Sequence, residues 1–147
     1  MQLEWLESQP LAECNQLSPT EPAMQFLCAC YYDLDAFARF QPEDFKKLGE
    51  ICAPHDARLK ASGKVSLIGS LSLPNDFRTL RAQKNGAVTD EPGPYEQTRQ
   101  PFGAFFIVEA ENMDEAVRIA RLHPGTHLGD MMAGGIEIRP IESLERL

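Results

Sequence analysis

The chain has 147 residues, with 14 Lys and Arg against 22 Asp and Glu, and a formal charge of −8 that leaves no cationic reserve for a phosphate backbone. A hydrophobic content of 43% with 24% charged residues is that of one globular domain, and no apolar run approaches the roughly 18 residues that span a bilayer. Glu4 and Glu7 stand where a secretory signal would carry Lys or Arg, so the expected protein is cytoplasmic, binding neither nucleic acid nor membrane.

Residues 1–22 include Leu3, Trp5, Leu6, Pro10, Ser18, Pro19 and Pro22 without sustained period, and read as an arm appended to a domain over 23–147. The arm is either a short amphipathic helix packed on the domain or a partner, or a tail. From Met24 to Tyr32 a strand is predicted, with Met24, Phe26, Cys28, Cys30 and Tyr32 on one face and Gln25, Leu27, Ala29 and Tyr31 on the other. Cys28 and Cys30 then share a face as buried thiols. With Cys14 and Cys52 they lack zinc-type spacing, so no metal is expected.

A linker with Asp33, Asp35, Phe37 and Phe40 leads to Pro42-Glu43-Asp44, a favourable first helical turn. Phe45, Leu48, Cys52, His55 and Leu59 follow at spacings of three and four. That helix is expected to break or kink near Pro54 and to stop at Ser62-Gly63. Val65, Leu67, Gly69, Leu71 and Leu73 alternate with Ser66, Ile68, Ser70 and Ser72 in a second strand, and Pro74-Asn75-Asp76 turns the chain. Segments 77–83 and 87–90 flank Asn85-Gly86, the signal for a two-residue type I′ hairpin turn.

Phe102 to Ala110 reads as the central strand, Phe102, Ala104, Phe106 and Val108 facing one way and Gly103, Phe105 and Ile107 the other. Asn112 and Glu115 form a capping arrangement for a helix whose buried stripe is Met113, Ala116, Val117 and Ala120, ended by Pro124-Gly125. A last strand carries Ile136 and Ile138. The order β, α, β, hairpin, β, α, β is a split βαβ plan of the ferredoxin-like kind, an α+β fold. Two strands apolar on both faces predict that the sheet packs on an identical sheet in a two-fold homodimer; the alternative is a monomer whose arm covers the sheet.

Gly93-Pro94-Tyr95, Gln97-Thr98-Arg99 and Gly103-Ala104-Phe105-Phe106-Ile107 resemble the Gly-Pro-Phe, Glu-Thr-Lys, Gly-Gly-Phe signature of the DGPF proteins in the YCII-related family. Residues 54–63, Asn112-Met113-Asp114-Glu115-Ala116, His123-Pro124 and 135–141 resemble that family in the same order, so that the likeness covers roughly Met24 to Ile141. It implies a ferredoxin-like fold forming a dimeric α/β barrel. Members of the family have been discussed as enzymes using a His and Asp pair, and some occur with extracytoplasmic-function sigma factors. Two departures stand out: Glu91-Pro92 lengthens the loop, and Gln97, which cannot titrate, replaces an acid.

His55 lies on the inward stripe of the first helix and is either a proton shuttle or a core histidine satisfied by one hydrogen bond. Asp90, at the start of the Pro-Gly loop, either polarises His55 as general base or caps a turn. These two are the candidate catalytic residues. Tyr95 and Arg99 could bind an anionic or carbonyl-bearing small molecule, with Gln97 and Thr98 in support, or could serve as a core plug and a rim salt bridge. Pro124-Gly125 separates His123 from His127, so these two with Asp130 are not expected to form a metal site. No cofactor is indicated, since neither a phosphate-cradling glycine loop nor a serine elbow is present. Two functions remain: a small-molecule enzyme or binding protein with a pocket near the Pro-Gly loop, or a non-catalytic interaction or regulatory module.

Overall fold

Strand β1 (Met24–Tyr32) sits near the middle of a four-stranded antiparallel sheet of order β2-β5-β1-β6, paired with β5 (Phe102–Ala110) on one side and β6 (Gly134–Pro140) on the other. Strand β2 (Val65–Ser70) completes it beyond β5. Helices α1 (Leu34–Arg39), α2 (Pro42–Ala61) and α3 (Met113–Ala120) and a 3-10 turn (Pro124–Thr126) join these strands, while β3 (Arg78–Ala82) and β4 (Val88–Pro92) form a separate two-stranded sheet. The computed structural model describes residues 23–72 and 76–147, so the arm 1–22, and with it Cys14, and the Pro74-Asn75 part of the expected turn lie outside the described residues. The chain is α+β, with the strand order of a split βαβ unit. The sheet ends at β2 and β6 and does not close on itself within one subunit.

One face of the sheet makes the core. Phe26, Cys28, Phe106 and Val108 have no exposed surface and pack with Leu59 of α2 and with Ala116, Ile119 and Ala120 of α3. Removing each large side chain from water contributes about 1.5–3 kcal/mol. The same burial holds the thiols neutral: Cys28 is pushed up to about 12, with Cys30 adding to the shift, and Cys30 to about 11.

The segment expected to be a linker is helical. Asp33 Oδ1 accepts from the N–H of Asp35 at 3.0 Å and of Ala36 at 3.3 Å, an N-cap that starts the six-residue α1. Phe37 and Phe40 then meet Phe45 at 6.0 and 5.3 Å between ring centroids, tying α1 to α2. Helix α2 is not interrupted at Pro54. The lost N–H would have paired with Glu50, and both residues lie on the exposed side of the helix, where a free carbonyl costs least. At α3, Asn112 Oδ1 accepts from the Glu115 N–H at 2.9 Å. Asn112→Ala is expected to cost about 1 kcal/mol in urea unfolding, because that amide loses its acceptor.

Two irregularities in strand pairing reassign faces. Cys30 pairs with Ala104 but Tyr31 with Phe102, so β5 carries one extra residue, Gly103. Phe102 therefore joins Tyr31 on the face away from the helices, with ring centroids 6.0 Å apart, and does not share a face with Ala104 as alternation predicts. Gly103 comes under the Tyr32 ring so closely that a Cβ there would stand 1.7 Å from Cε1. Likewise Val65 pairs with Val108 and packs on the core while Leu67 pairs with Ile107 on the opposite face, so these two do not share a side.

That second face presents Leu27, Ile107, Phe105, Tyr31, Phe102 and Leu67, the last 52% exposed. The Phe105 ring lies across β2 at Gly69, where a Cβ would come within 2.4 Å of it. No helix among the described residues packs there. None of them is long and apolar enough to cross a membrane.

The β3–β4 hairpin forms where expected but with a different turn. Among the described residues none other than glycine has positive φ, so Asn85 does not adopt the type I′ geometry. Instead the Gly86 N–H donates to the Gln83 carbonyl at 3.0 Å, the Gln83 N–H to Ala87 at 2.8 Å, and Gly86 takes φ +87. This is a three-residue loop with glycine in the left-handed position.

Candidate functional site

The loop between β4 and β5 is fastened at both ends. Gly93 turns with φ +87, its N–H donates to the Phe77 carbonyl at 2.9 Å, and Thr79 Oγ1 donates to the Gly93 carbonyl at 2.7 Å. Arg81 spans the gap. Its Nε donates to Glu91 Oε2 at 2.8 Å, its terminal nitrogen to the Tyr95 carbonyl at 2.6 Å, and its Cζ stands 4.4 Å above the Tyr95 ring. At the far end the Leu34 N–H donates to the Arg99 carbonyl at 3.0 Å and the Tyr32 N–H to Pro101 at 3.3 Å. The Arg99 guanidinium holds Asp35 Oδ1 at 2.5 Å, and this hydrogen bond draws the Asp35 carboxyl below its ordinary value.

Between the hairpin, this loop and the outer face of the sheet is a cleft of about 600 Å³. Tyr31, Phe102, Leu71 and Phe77 give it apolar walls, Ser72, Thr79, Thr98, Gln100 and Glu96 give it polar groups, and Pro94 and Tyr95 come from the loop. Among the described residues no Lys or Arg lines it. Of the residues singled out from the sequence, Tyr95 and Thr98 are in its wall; Gln97 and Arg99 are not, and the Arg99 side chain is engaged by Asp35.

His55 and Asp90 lie elsewhere. The half-buried His55 ring stacks on His127 with centroids 3.9 Å apart and planes 5° from parallel, and His127 Nε2 donates to the Arg121 carbonyl at 2.7 Å. Burial, then the His127 and Arg58 charges, hold His55 below the ordinary imidazole value. Arg78 takes the Asp90 carboxylate in a two-point ion pair, Nε to Oδ1 at 2.9 Å, and draws its pKa down. No hydrogen bond or ion pair joins His55 to Asp90 among the described residues, and neither borders the cleft. His123 Nδ1 accepts from the Gly125 N–H at 2.9 Å and starts the 3-10 turn.

Sequence reasoning gave the pocket aromatic strand residues without singling out Tyr31 or Phe102, and missed Phe77 and Thr79 as wall residues and Arg81 as the clamp. Only Tyr31 had a readable signal, its place on the strand face away from the cysteines. Phe102 was hidden by the bulge, and the others by the hairpin turn that sets their register.

The YCII-related domain, as a family pattern, matches residues 24–145, from the first residue of β1 to beyond the end of β6. The chain belongs to the YCII-related family. A comparison with curated proteins finds no match. The YCII-related match takes in both βαβ halves, the hairpin and the fastened loop, so the cleft is built wholly from family residues.

In this YCII-related protein two imidazoles are held below the ordinary value of 6.5, His55 as above and His123 chiefly by burial, against an opposing pull from Asp56. In the unfolded chain both take up protons as pH falls through that value, while the folded chain resists until lower pH. Their contribution to stability is therefore present above about pH 6.5 and is lost as pH falls toward the folded values. The melting temperature is expected to drop between pH 7.5 and 5.5, and His55→Gln to flatten that slope. An unchanged slope in the variant would show that His55 titrates alike in both states.

Proposed function

We propose that this YCII-related protein is a small-molecule binding protein that works as a homodimer, with a ligand site in each subunit at the cleft beside the Pro-Gly loop. The observation that carries this reading is the cleft itself. At about 600 Å³ it has the size of a site for a compact metabolite, and its walls are aromatic and aliphatic with a few hydroxyl and amide groups. With one carboxylate and no cation among the described residues of its lining, it suits an uncharged or weakly cationic, partly aromatic molecule bearing hydroxyl or amide groups.

The outer sheet face supports the dimer. Beyond the part of that face where Tyr31 and Phe102 wall the cleft, Leu27, Leu67, Phe105 and Ile107 form an apolar surface on which no helix packs among the described residues, and stacking two such sheets would make the ferredoxin-like dimeric α/β barrel. The hairpin supports it too. Leu80 and Val88 are diagonal neighbours on one hairpin face, 70% and 63% exposed, and a two-stranded sheet is only marginally stable without cover. His55 and Asp90 keep no role in this reading, since their partners are His127 and Arg78.

A thermal-shift screen tests the site. Uncharged aromatic or hydroxylated metabolites are expected to raise the melting temperature, by the equivalent of about 2.7 kcal/mol at a hundredfold excess over Kd. Ser72→Trp, which fills the cleft, should abolish the rise, and Arg81→Met, which releases Tyr95 and Glu91, should weaken it. Equal responses from native protein and Ser72→Trp would refute the assignment.

A further inference from the structure

The acids around the Pro-Gly loop are not alike. Asp90 and Glu91, which lead into it, are each taken by an arginine, Asp90 Oδ1 by Arg78 Nε at 2.9 Å and Glu91 Oε2 by Arg81 Nε at 2.8 Å. Asp35, against which the loop ends, is taken by Arg99. Glu96 is the acid that lines the cleft, and among the described residues it has no ion pair. An unneutralised carboxylate therefore borders a wall that is otherwise apolar and uncharged.

That wall also presents aromatic faces. Tyr31, Phe77 and Phe102 stand in it together. The Tyr31 and Phe102 rings lie 6.0 Å apart between centroids with their planes at 44°, so they are not stacked shut against each other, and Phe102 is 40% exposed. The face of such a ring carries partial negative charge and attracts a cation within about 6 Å of its centroid. The fourth ring of the wall, Tyr95, already holds one in this way, the Arg81 guanidinium at 4.4 Å. Glu91 offsets the charge of that arginine, so Arg81 opposes a second cation only weakly.

We propose that the molecule bound in this cleft is a compact organic monocation whose N-methylated ammonium group sits against the Tyr31 and Phe102 rings with Glu96 as its counter-ion, an assignment that rests on the cleft being the ligand site. Methylation is what fits the charge to these walls. A bare ammonium is strongly hydrated and would lose that water against apolar side chains, whereas methyl groups spread the charge and present hydrocarbon to the rings. The formal charge of −8 on the chain adds a field that draws cations toward it.

Choline and 3,3-dimethylbutan-1-ol have the same shape and the same hydroxyl, and differ by a positive nitrogen in place of a carbon. In NMR titrations of the full-length protein, choline is expected to shift the Thr79 and Thr98 amide resonances and to bind more tightly than the alcohol by about fivefold or more. Glu96→Gln, at an exposed loop position, and Phe102→Leu, which keeps an apolar side chain but removes the ring, should each narrow that ratio. Equal affinity for the two probes, both shifting Thr79 and Thr98, would overturn the cation and leave the cleft as a site for neutral molecules. Shifts that spare Thr79 and Thr98, or that persist in Ser72→Trp, would remove the cation and the cleft together. A ratio unchanged in both Glu96→Gln and Phe102→Leu would overturn the seat proposed for the ammonium. Binding of neither probe would overturn the cation alone, since the cleft answers to the thermal-shift screen.

Discussion

Ile107→Asp is expected to turn a dimer of about 33 kDa, twice the 16.4 kDa chain, into a folded monomer by sedimentation velocity at micromolar concentration. Ile107 sits mid-strand on the outer face of the sheet, paired with Leu27 on one side and Leu67 on the other. A carboxylate there would be buried without a partner if two sheets pressed together, and such a charge costs several kcal/mol. In a lone subunit the same position is only half-buried, so the variant keeps its circular dichroism. Native protein that already sediments at 16.4 kDa would remove the basis for the homodimer.

The second large effect concerns stability. Phe106 has no exposed surface, pairs with Cys28 and Ile68 across the sheet and carries the His123 ring on its face. Phe106→Ala is expected to cost about 3–5 kcal/mol in urea unfolding, from lost burial plus the cavity left behind. Phe105→Ala is the comparison. Phe105 is the next residue along the same strand but points to the outer face, where a monomer loses less by the change and a dimer loses contact with its partner. A dependence of the Phe105→Ala cost on protein concentration, absent for Phe106→Ala, would separate the two faces.

Much of the scaffold was legible because it is written in local chemistry. The alternation over Met24–Tyr32, the Pro42 start of α2 and the Asn112 cap each depend on residues within a turn or a pleat, and each appears where its signal lies. What failed to read was phase. A two-residue turn at Asn85-Gly86 would pair Lys84 with Ala87; the observed loop pairs Gln83 with Ala87 and Ala82 with Val88, a slip of one residue that exchanges the faces of the hairpin. Single extra residues at Gly103 and between Val65 and Leu67 do the same to the main sheet. Helix α1 escaped because six residues are too few to show a period, although Asp33 was a readable cap.

The candidate site was legible only in its loop. Tyr95 and Thr98 border the cleft with Pro94, Glu96 and Gln100 of the same loop, but its other walls come from four segments that meet through the hairpin and the bulge. The partners of Arg99 and Asp90 show the same limit: Asp35 lies 64 residues from Arg99, and Arg78 lies 12 from Asp90 across a turn of altered register. Such ion pairs on exposed side chains are screened by water and contribute little stability, yet they decide which charged groups are free to meet a ligand.

The sulfhydryl of Cys28 offers a built-in gauge of how often the domain opens. With its pKa near 12 and no solvent contact, it is inert toward iodoacetamide while the strand stays packed, so its rate of alkylation, read by mass spectrometry of the Cys28 peptide, counts excursions of β1 out of the sheet. A molecule that lodges against either flank of that strand should slow the count without any need to know its chemistry beforehand.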